Sequence, residues 1–416
     1  MVSRRFQRLS ALGALGTLSA LRPVERPSAL SVPQFFSAWL AAELAPHNLA
    51  VTVGGTAFEL ATGRVKTRGD KIAVGVNVAS AIGLAALIQQ GWRSSAALED
   101  ALVETLGEGY LDPPPAPEDL ATPWKHVAMP FLLGRHPDVV ITKDIPYGER
   151  DRHNLLDVYR HRDATPDSPV LLQIHGGAWM IGHKAQQGLP LMMHLASRGW
   201  ICVAPNYGLS PKATWPEQLL DVKRALAWVR TNIDDHAGDP QFVAVTGGSA
   251  GGHLTALLGL TPNDPRYQPG FEDVDTRVQA AVPHYGVYDF ADTLGTRRGR
   301  EIRDRLVAPI IMKRRWSDDP AAFIAASPIH HVRPDAPPFF VIHGTHDSLA
   351  SVVEAREFVS RLRDVSTSPV VYAELAGTQH AFDVFPSIRS MHVVRAVERF
   401  LSATVAAHRK QQTPAA

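Results

Sequence analysis

Val243-Ala-Val-Thr-Gly-Gly-Ser-Ala-Gly-Gly-His253 is the stretch whose reading decides the fold. It passes from a short apolar segment through a glycine-pinched turn into the helical run His253-Leu-Thr-Ala-Leu-Leu-Gly-Leu260. Gly247-Gly248-Ser249-Ala250-Gly251 fits G-x-S-x-G, in which a serine sits on a sharp, strained strand-to-helix turn. Neighbours without side chains let the strand and the helix approach closely. The spacing predicts that Ser249 Oγ stands at the carboxyl edge of a sheet, over a helix N-terminus. Free N–H groups and partial positive charge gather at such an end, which places the Ala250 N–H to bind a developing oxyanion. Taken alone, the pattern also fits an ordinary glycine turn, so the partner residues decide.

A serine nucleophile needs a base, an acid that orients the base, and donors for the oxyanion. Asp347 lies 98 residues after Ser249, in His343-Gly-Thr-His-Asp-Ser-Leu349. His380 follows 33 residues later, in Gln379-His-Ala-Phe-Asp383. Each comes just after an apolar strand segment, so both fall on loops at the edge that carries the serine. A loop Asp is otherwise a turn residue, and His380 is one of 18 histidines. It is the order Ser, Asp, His on one edge that makes them a triad. His175-Gly176-Gly177-Ala178 also follows a strand, Val170 to Ile174, and its small residues expose backbone N–H groups to a bound carbonyl oxygen.

With these motifs in place the chain resembles the hormone-sensitive-lipase-like carboxylesterases of the α/β-hydrolase superfamily. It is most similar to an actinobacterial lipase/esterase subgroup with a long N-terminal extension. His175-Gly-Gly-Ala-Trp179, Tyr207-Gly-Leu-Ser-Pro211, Gly247-Gly-Ser-Ala-Gly-Gly252, the Asp347 segment and His380-Ala-Phe382 carry the resemblance over about half of the chain. It implies an α/β-hydrolase fold: a mostly parallel central sheet with helices on both faces, a helical N-terminal extension and a cap insertion. It also implies Ser249 as nucleophile, His380 as general base and Asp347 as its orienter, with the N–H groups of Gly177, Ala178 and Ala250 as the oxyanion hole. Two positions depart from the pattern. Gly248 stands where lipase-like members usually carry Asp, and Ala178 where they carry a third glycine. An alanine N–H donates equally well. The Gly248 change leaves the subfamily open, because His-Gly-Gly-x-Trp with Gly-Gly-Ser-Ala-Gly-Gly also occurs in arylformamidase-like and feruloyl-esterase-like relatives. The expected activity is hydrolysis of carboxylic esters through an acyl-serine. An amidohydrolase of the arylformamidase type is the alternative within the enzymes, and a catalytically silent binding protein the alternative outside them.

Strand and helix signals alternate from about residue 136 onward, as a mostly parallel sheet requires. Pro216 to Asn232 is a marked helix, with apolar residues at Leu219, Val222, Leu226 and Val229. Asp221 and Trp228 are expected to pack or anchor it. His253, one helical turn after Ser249, is expected to make a structural hydrogen bond, and Trp179, Tyr207 and Tyr288 to lie in the core. A polar insertion from about 285 to 327 is expected to cap the site. The organisation expected is a helical extension over 1–135, a catalytic domain over 136–408 and a tail over 409–416.

The extension opens with Arg4, Arg5 and Arg8 before a leucine-rich stretch that ends at Leu21. It has the outline of a signal peptide but no clear cleavage site, and an amphipathic helix fits it better. A helix from 33 to 49 is expected to end near Pro46. Ile72 to Ile88 is the most apolar run. At about 17 residues it is at the short edge of a membrane span, and its glycines and polar residues favour a helix covered by the hydrolase domain, with peripheral membrane contact as the second role. Ser95 to Leu106 reads as a further helix. This leaves both a cytoplasmic and an envelope location open.

Net charge is +1, which excludes a strong field directed at nucleic acid. Cys202 is the single cysteine, so no intramolecular disulfide forms. No metal-ligand spacing is present. The chemistry calls for no cofactor and no metal, and for a small ester or lipid as substrate.

Overall fold

The computed structural model describes residues 2–23, 31–131 and 136–412. Four helices come first: α1 (Val2–Leu21), α2 (Ser31–Glu43), α3 (Ala45–Ala61) and α4 (Arg68–Leu106). Two short helices follow, α5 (Pro117–Leu120) and α6 (Trp124–Ala128). The sheet then begins with β1 (Val139–Pro146), β2 (Leu155–His161) and β3 (Ser168–Ile174). Next come α7 (Leu189–Ser197), β4 (Ile201–Pro205), α8 (Glu217–Asn232), β5 (Gly238–Gly248), α9 (Ala250–Leu260) and β6 (Ala280–His284). The insertion holds α10 (Arg297–Ile302), a π-helical segment (Arg303–Met312) and α11 (Pro320–Ala325). The chain ends with β7 (Phe339–Gly344), α12 (Val352–Val365), β8 (Val370–Leu375) and α13 (Ile388–Gln412).

The eight strands form one sheet in the order β1-β2-β4-β3-β5-β6-β7-β8. The β1/β2 and β2/β4 pairs are antiparallel and all others are parallel. Side chains alternate across it, as the pleat dictates. Val170, Leu172, Val243 and Val245 face a core built with α8, α9 and α12. Leu171, Ala244, Phe340 and Ile342 face a second core built with α7 and α13. The alternation of strand and helix in the sequence thus becomes an α/β-hydrolase sheet covered on both faces.

The structure changes three readings of the N-terminal third. Pro46 does not end a helix; it lies in the first turn of α3, where its missing N–H costs nothing. The runs Ile72–Ile88 and Ser95–Leu106 belong to one helix of 39 residues. Thr67 and Asp70 start that helix with a reciprocal capping box (Thr67 N to Asp70 Oδ2, 2.8 Å), and Gly107 stops it in a left-handed-side turn at φ 87°. The Ile72–Ile88 run packs one face against α1 and α3, not against the hydrolase domain, and leaves Ile72, Val78 and Ile82 exposed. Only farther along does α4 reach that domain, where Leu98 and Leu102 join the α7/α13 core. The extension is therefore continuous with the catalytic domain. The boundary expected near 135 falls beside 132–135, outside the described residues. Part of the expected tail is helical, since α13 runs to Gln412; 413–416 lie outside the described residues.

Glu43 locks α2 to α13. Its carboxylate pairs with the Arg389 guanidinium and accepts from Ser387 Oγ at 2.6 Å. Both side chains are buried, and Arg389 Nε and Nη2 have no other partner among the described residues. Removing one member of such a pair leaves an uncompensated charge in the interior and costs about 3–5 kcal/mol. Glu43→Ala is expected to lose stability of that order in urea unfolding, and an unchanged midpoint would show that the pair does not hold the extension in place.

Candidate active site

β5 ends at Gly248 and α9 begins at Ala250, so the whole change of direction falls on Ser249. Its backbone is left-handed, at φ 59° and ψ −119°. A non-glycine residue there stores about 1–3 kcal/mol. Two main-chain bonds hold it: Ser249 N donates to His284 O on β6 and accepts through its own carbonyl from His253 N, both at 3.0 Å. The glycines are steric requirements. A Cβ on Gly247 would come within 2.5 Å of Ile174 O on β3, and one on Gly252 within 2.7 Å of His284 O.

The two loop residues converge as the order of motifs requires. His380 Nδ1 lies 2.7 Å from Asp347 Oδ2. Asp347 Oδ1 accepts from the N–H groups of Leu349 and Ala350 at 2.8 and 2.7 Å. His343 Nε2 lies 3.4 Å from Oδ2. Burial by itself would raise the Asp347 carboxyl, but the charge and hydrogen bonds of His380 and His343 hold it well below the usual carboxylate range. With Nδ1 engaged by Asp347, only the second ring nitrogen of His380 is left without a partner among the described residues.

The His175 turn lies against the serine: a Cβ on Gly176 would meet Ser249 Cβ at 3.2 Å. Gly177, Ala178 and Trp179 all have positive φ, at 120°, 52° and 59°. This backbone turns successive N–H groups to one side, as in an anion-binding nest. The Gly176 N–H is taken by Gln187 Oε1 at 2.7 Å. Those of Gly177 and Ala178 have no acceptor among the described residues. The Ala250 N–H, at the first position of α9, has none within its helix.

His253 is wholly buried and structural. It bonds Trp179 Nε1 (3.2 Å) and Ala326 O (2.7 Å) and stacks on Phe290. Burial pushes its pKa down to about 3, so the ring is neutral. Asp221 anchors α8 by accepting from Gly208 N at 2.9 Å. Trp179, Tyr207 and Tyr288 are core residues, while Trp228 is half-buried against the same core.

Several residues of the site went unread in the sequence. Gln379 ties the two loops together, its Oε1 accepting from Ser348 N (2.7 Å) and His380 N (2.9 Å). Tyr285 sets its ring at a tilt 4.6 Å from that of His380, donates its hydroxyl to Asp383 and presses that hydroxyl against Gly248. Asp383 also holds His284 Nδ1 at 2.6 Å. Tyr285 accounts for the glycine at 248: its hydroxyl, held by Asp383, occupies the space that any side chain at this position would need. The segment Gln379-His-Ala-Phe-Asp383 held that signal, but only in combination with a tyrosine almost a hundred residues away. From the extension, Trp39 Nε1 donates to Ala381 O at 2.8 Å, the Phe35 ring edges His380, and Ala20 O meets His346 Nδ1 at 3.2 Å.

Comparison with known proteins finds relatives along nearly the whole chain. The BD-FAE family model matches residues 156–362. A probable carboxylic ester hydrolase of Mycobacterium tuberculosis, LipM, is 43% identical over 98% of this chain and 94% of its own length. The esterase LipC of the same organism is 37% identical over 91% of this chain and 96% of its own. Among solved structures, esterase B of Lactobacillus rhamnosis superposes with a TM-score of 0.56 at 19% identity, covering 67% of this chain and 90% of that one; it shares the fold. Sequence identity along nearly the whole length, and a matching sheet, place this chain in the α/β-hydrolase family of carboxylic ester hydrolases that includes LipM and LipC.

Proposed function

We propose that this esterase works through an acyl-serine, with Ser249 as nucleophile, His380 as general base and Asp347 as the carboxylate that orients it. The observation that carries the reading is the buried His380–Asp347 hydrogen bond on the edge where the strained Ser249 turn lies. His380 takes the serine proton as Oγ attacks the ester carbonyl. The N–H groups of Gly177, Ala178 and Ala250 hold the oxyanion, each such donor contributing about 3–4 kcal/mol. Collapse releases the alcohol, with His380 returning the proton. Water activated by the same imidazole then frees the acid.

The acyl chain has a place to go. A cavity of about 700 Å³ lies beside the His380 loop, between the extension and α7. Trp39, Phe131, Leu189, Met193, Val384 and Phe385 make its walls apolar. This supports a lipophilic acyl group as substrate, and a role for the extension as one wall of the acyl pocket, with the 285–327 insertion on the other side of the site.

Ser249→Ala is expected to lower kcat on p-nitrophenyl butyrate by roughly 10⁴-fold or more, since triad members act as a unit. A variant that keeps a tenth of the wild-type rate would refute the assignment, and N-formylkynurenine turned over faster than the ester would move the activity to amides.

The depressed Asp347 carboxyl has a stability consequence. The unfolded chain takes up the proton near pH 4, the folded chain only at lower pH. The carboxylate's contribution is therefore complete above about pH 5 and lost as the pH falls further. The stability gap between wild type and Asp347→Asn is expected to be constant from neutral pH to about 5 and to narrow below about 4. A gap that stays level down to pH 3 would count against the buried ionised pair.

Met193→Trp narrows the apolar cavity. It is expected to reduce kcat/KM on dodecanoyl esters by about tenfold or more while acetyl esters change little, since each pocket methylene carries a limited share of binding. Equal losses on both would remove this cavity from the acyl path.

A further inference from the structure

Helices α1, α3 and α4 are packed inside out for a water-soluble bundle. Leu9, Leu12, Leu15 and Leu18 form a stripe on α1 that is 57–64% exposed. The opposite face of α1 buries Ser10, Thr17 and Ala20. On α4, Ile72, Val78 and Ile82 point outward while Asp70, Asn77, Ser80 and Gly83 are buried. On α3, Val51, Val53 and Phe58 are exposed and Thr56 is buried.

The buried polar groups are satisfied within the bundle. Asn77 Nδ2 donates to Thr56 Oγ1 at 2.8 Å, and Gln7 Nε2 to Asp70 Oδ1 at 2.9 Å. Ser10, Thr17, Thr56 and Ser80 return their hydroxyls to carbonyls one turn back in their own helices. Small residues make the close contacts: a Cβ on Gly83 would reach within 2.7 Å of Thr17 Cγ2. Small and hydrogen-bonded residues inside with apolar residues outside is the packing rule of helices in lipid.

Charge gives the bundle a direction. The Gln7–Asp70 and Thr17–Gly83 contacts show α1 and α4 running parallel, and Thr56–Asn77 with Ala45–Leu87 shows α3 antiparallel to them. One end therefore collects Arg4, Arg5 and Arg8 from α1, Arg64 and Lys66 from the α3–α4 connection, and Arg68 and Lys71 from α4, all exposed. Against them stand Glu59, paired with Arg64, and the buried Asp70. The opposite end roots in the hydrolase domain through Ala20, α2 and the second half of α4. From Leu9 to Leu21 and from Ile72 to Gln90 no charged side chain occurs.

α1 and α3 are about 30 and 25 Å long, but the uncharged part of α1, from Leu9 to Leu21, is only about 20 Å, so among the described helices α4 alone is long and apolar enough to cross a bilayer by itself and α1 and α3 would cross as its packed partners. The arginines of the first two turns of α1 have stems long enough to carry their charge to the interface. α4 is long and apolar enough to cross a membrane, and only 33% of its most apolar window is buried.

We propose that α1, α3 and the first half of α4 cross a lipid bilayer as a three-helix bundle. The cationic end lies on the cytoplasmic side, where an excess of Lys and Arg is retained, and the hydrolase domain stands on the other side with its catalytic loops at the root of the bundle. Insertion from one side only is disfavoured because it would leave the cationic tip in the hydrocarbon.

The test uses the full chain expressed in bacterial cells. Membranes are washed with alkaline carbonate and with high salt, and the chain is expected to stay in the pellet until detergent is added. Cys202 is buried, so background thiol labelling is low. Ser317→Cys, exposed on the catalytic domain, is expected to react with a membrane-impermeant maleimide in spheroplasts. Thr62→Cys, exposed at the cationic end, is expected to react only after lysis. Leu12→Asp with Leu15→Asp is expected to move the chain out of the pellet by roughly tenfold or more while acetyl-ester hydrolysis per folded molecule is kept. Release by carbonate or salt, labelling of both cysteines from one side, or recovery of the wild-type chain from the aqueous fraction as a soluble dimer would each overturn the proposal.

Discussion

Everything at the catalytic edge depends on one tight crossing, where β5 turns into α9 between β3 and β6. The serine is held in left-handed backbone because its neighbours leave it no other course: Ile174 O and His284 O press on the turn from two strands. A side chain at Gly247, Gly251 or Gly252 would meet backbone of β3 or β6, and one at Gly248 the Tyr285 ring. The strain at Ser249 is therefore sustained by the parallel register of three strands, and the core beneath them supplies the energy.

The same crossing explains how the other parts meet. Tyr285 leaves β6 beside the turn, fills the space next to Gly248 and sets its ring at a tilt against His380. Gln379 ties the acid loop to the histidine loop. The site is thus braced from strand ends on either side of Ser249, with the two loops tied to each other. Two carboxylates, the buried Asp347 and the partly buried Asp383, are each held ionised by a histidine and further donors.

The sheet and the three loop residues were legible because their signals are local. Alternating apolar strands, glycine spacing and the position of Asp347 and His380 just past strand ends do not depend on tertiary context. What escaped was pairwise and distant. Gly248 read as an unexplained departure, since its cause is Tyr285 and Asp383, which meet only in the folded chain. Pro46 was read as a terminator because proline stops a helix from one side and starts it from the other. The Ile72–Ile88 run was separated from Ser95–Leu106 because Gly91 and two serines interrupt the pattern. In the structure Gly91 is where α4 passes tightly over Ile388, and the helix continues through it.

That unbroken helix has a mechanical meaning. α4 is helical without a break from Arg68 to Leu106, with its first half among α1 and α3 and its second half in the core shared with α7 and α13. α2 is in turn clamped to α13 by Glu43 and Arg389. Ser249 consequently rides with the leucine-clad helices as one body, like the jaw of a caliper fixed to its beam. With that bundle in a bilayer as proposed, the depth at which an ester bond lies would decide whether the jaw reaches it.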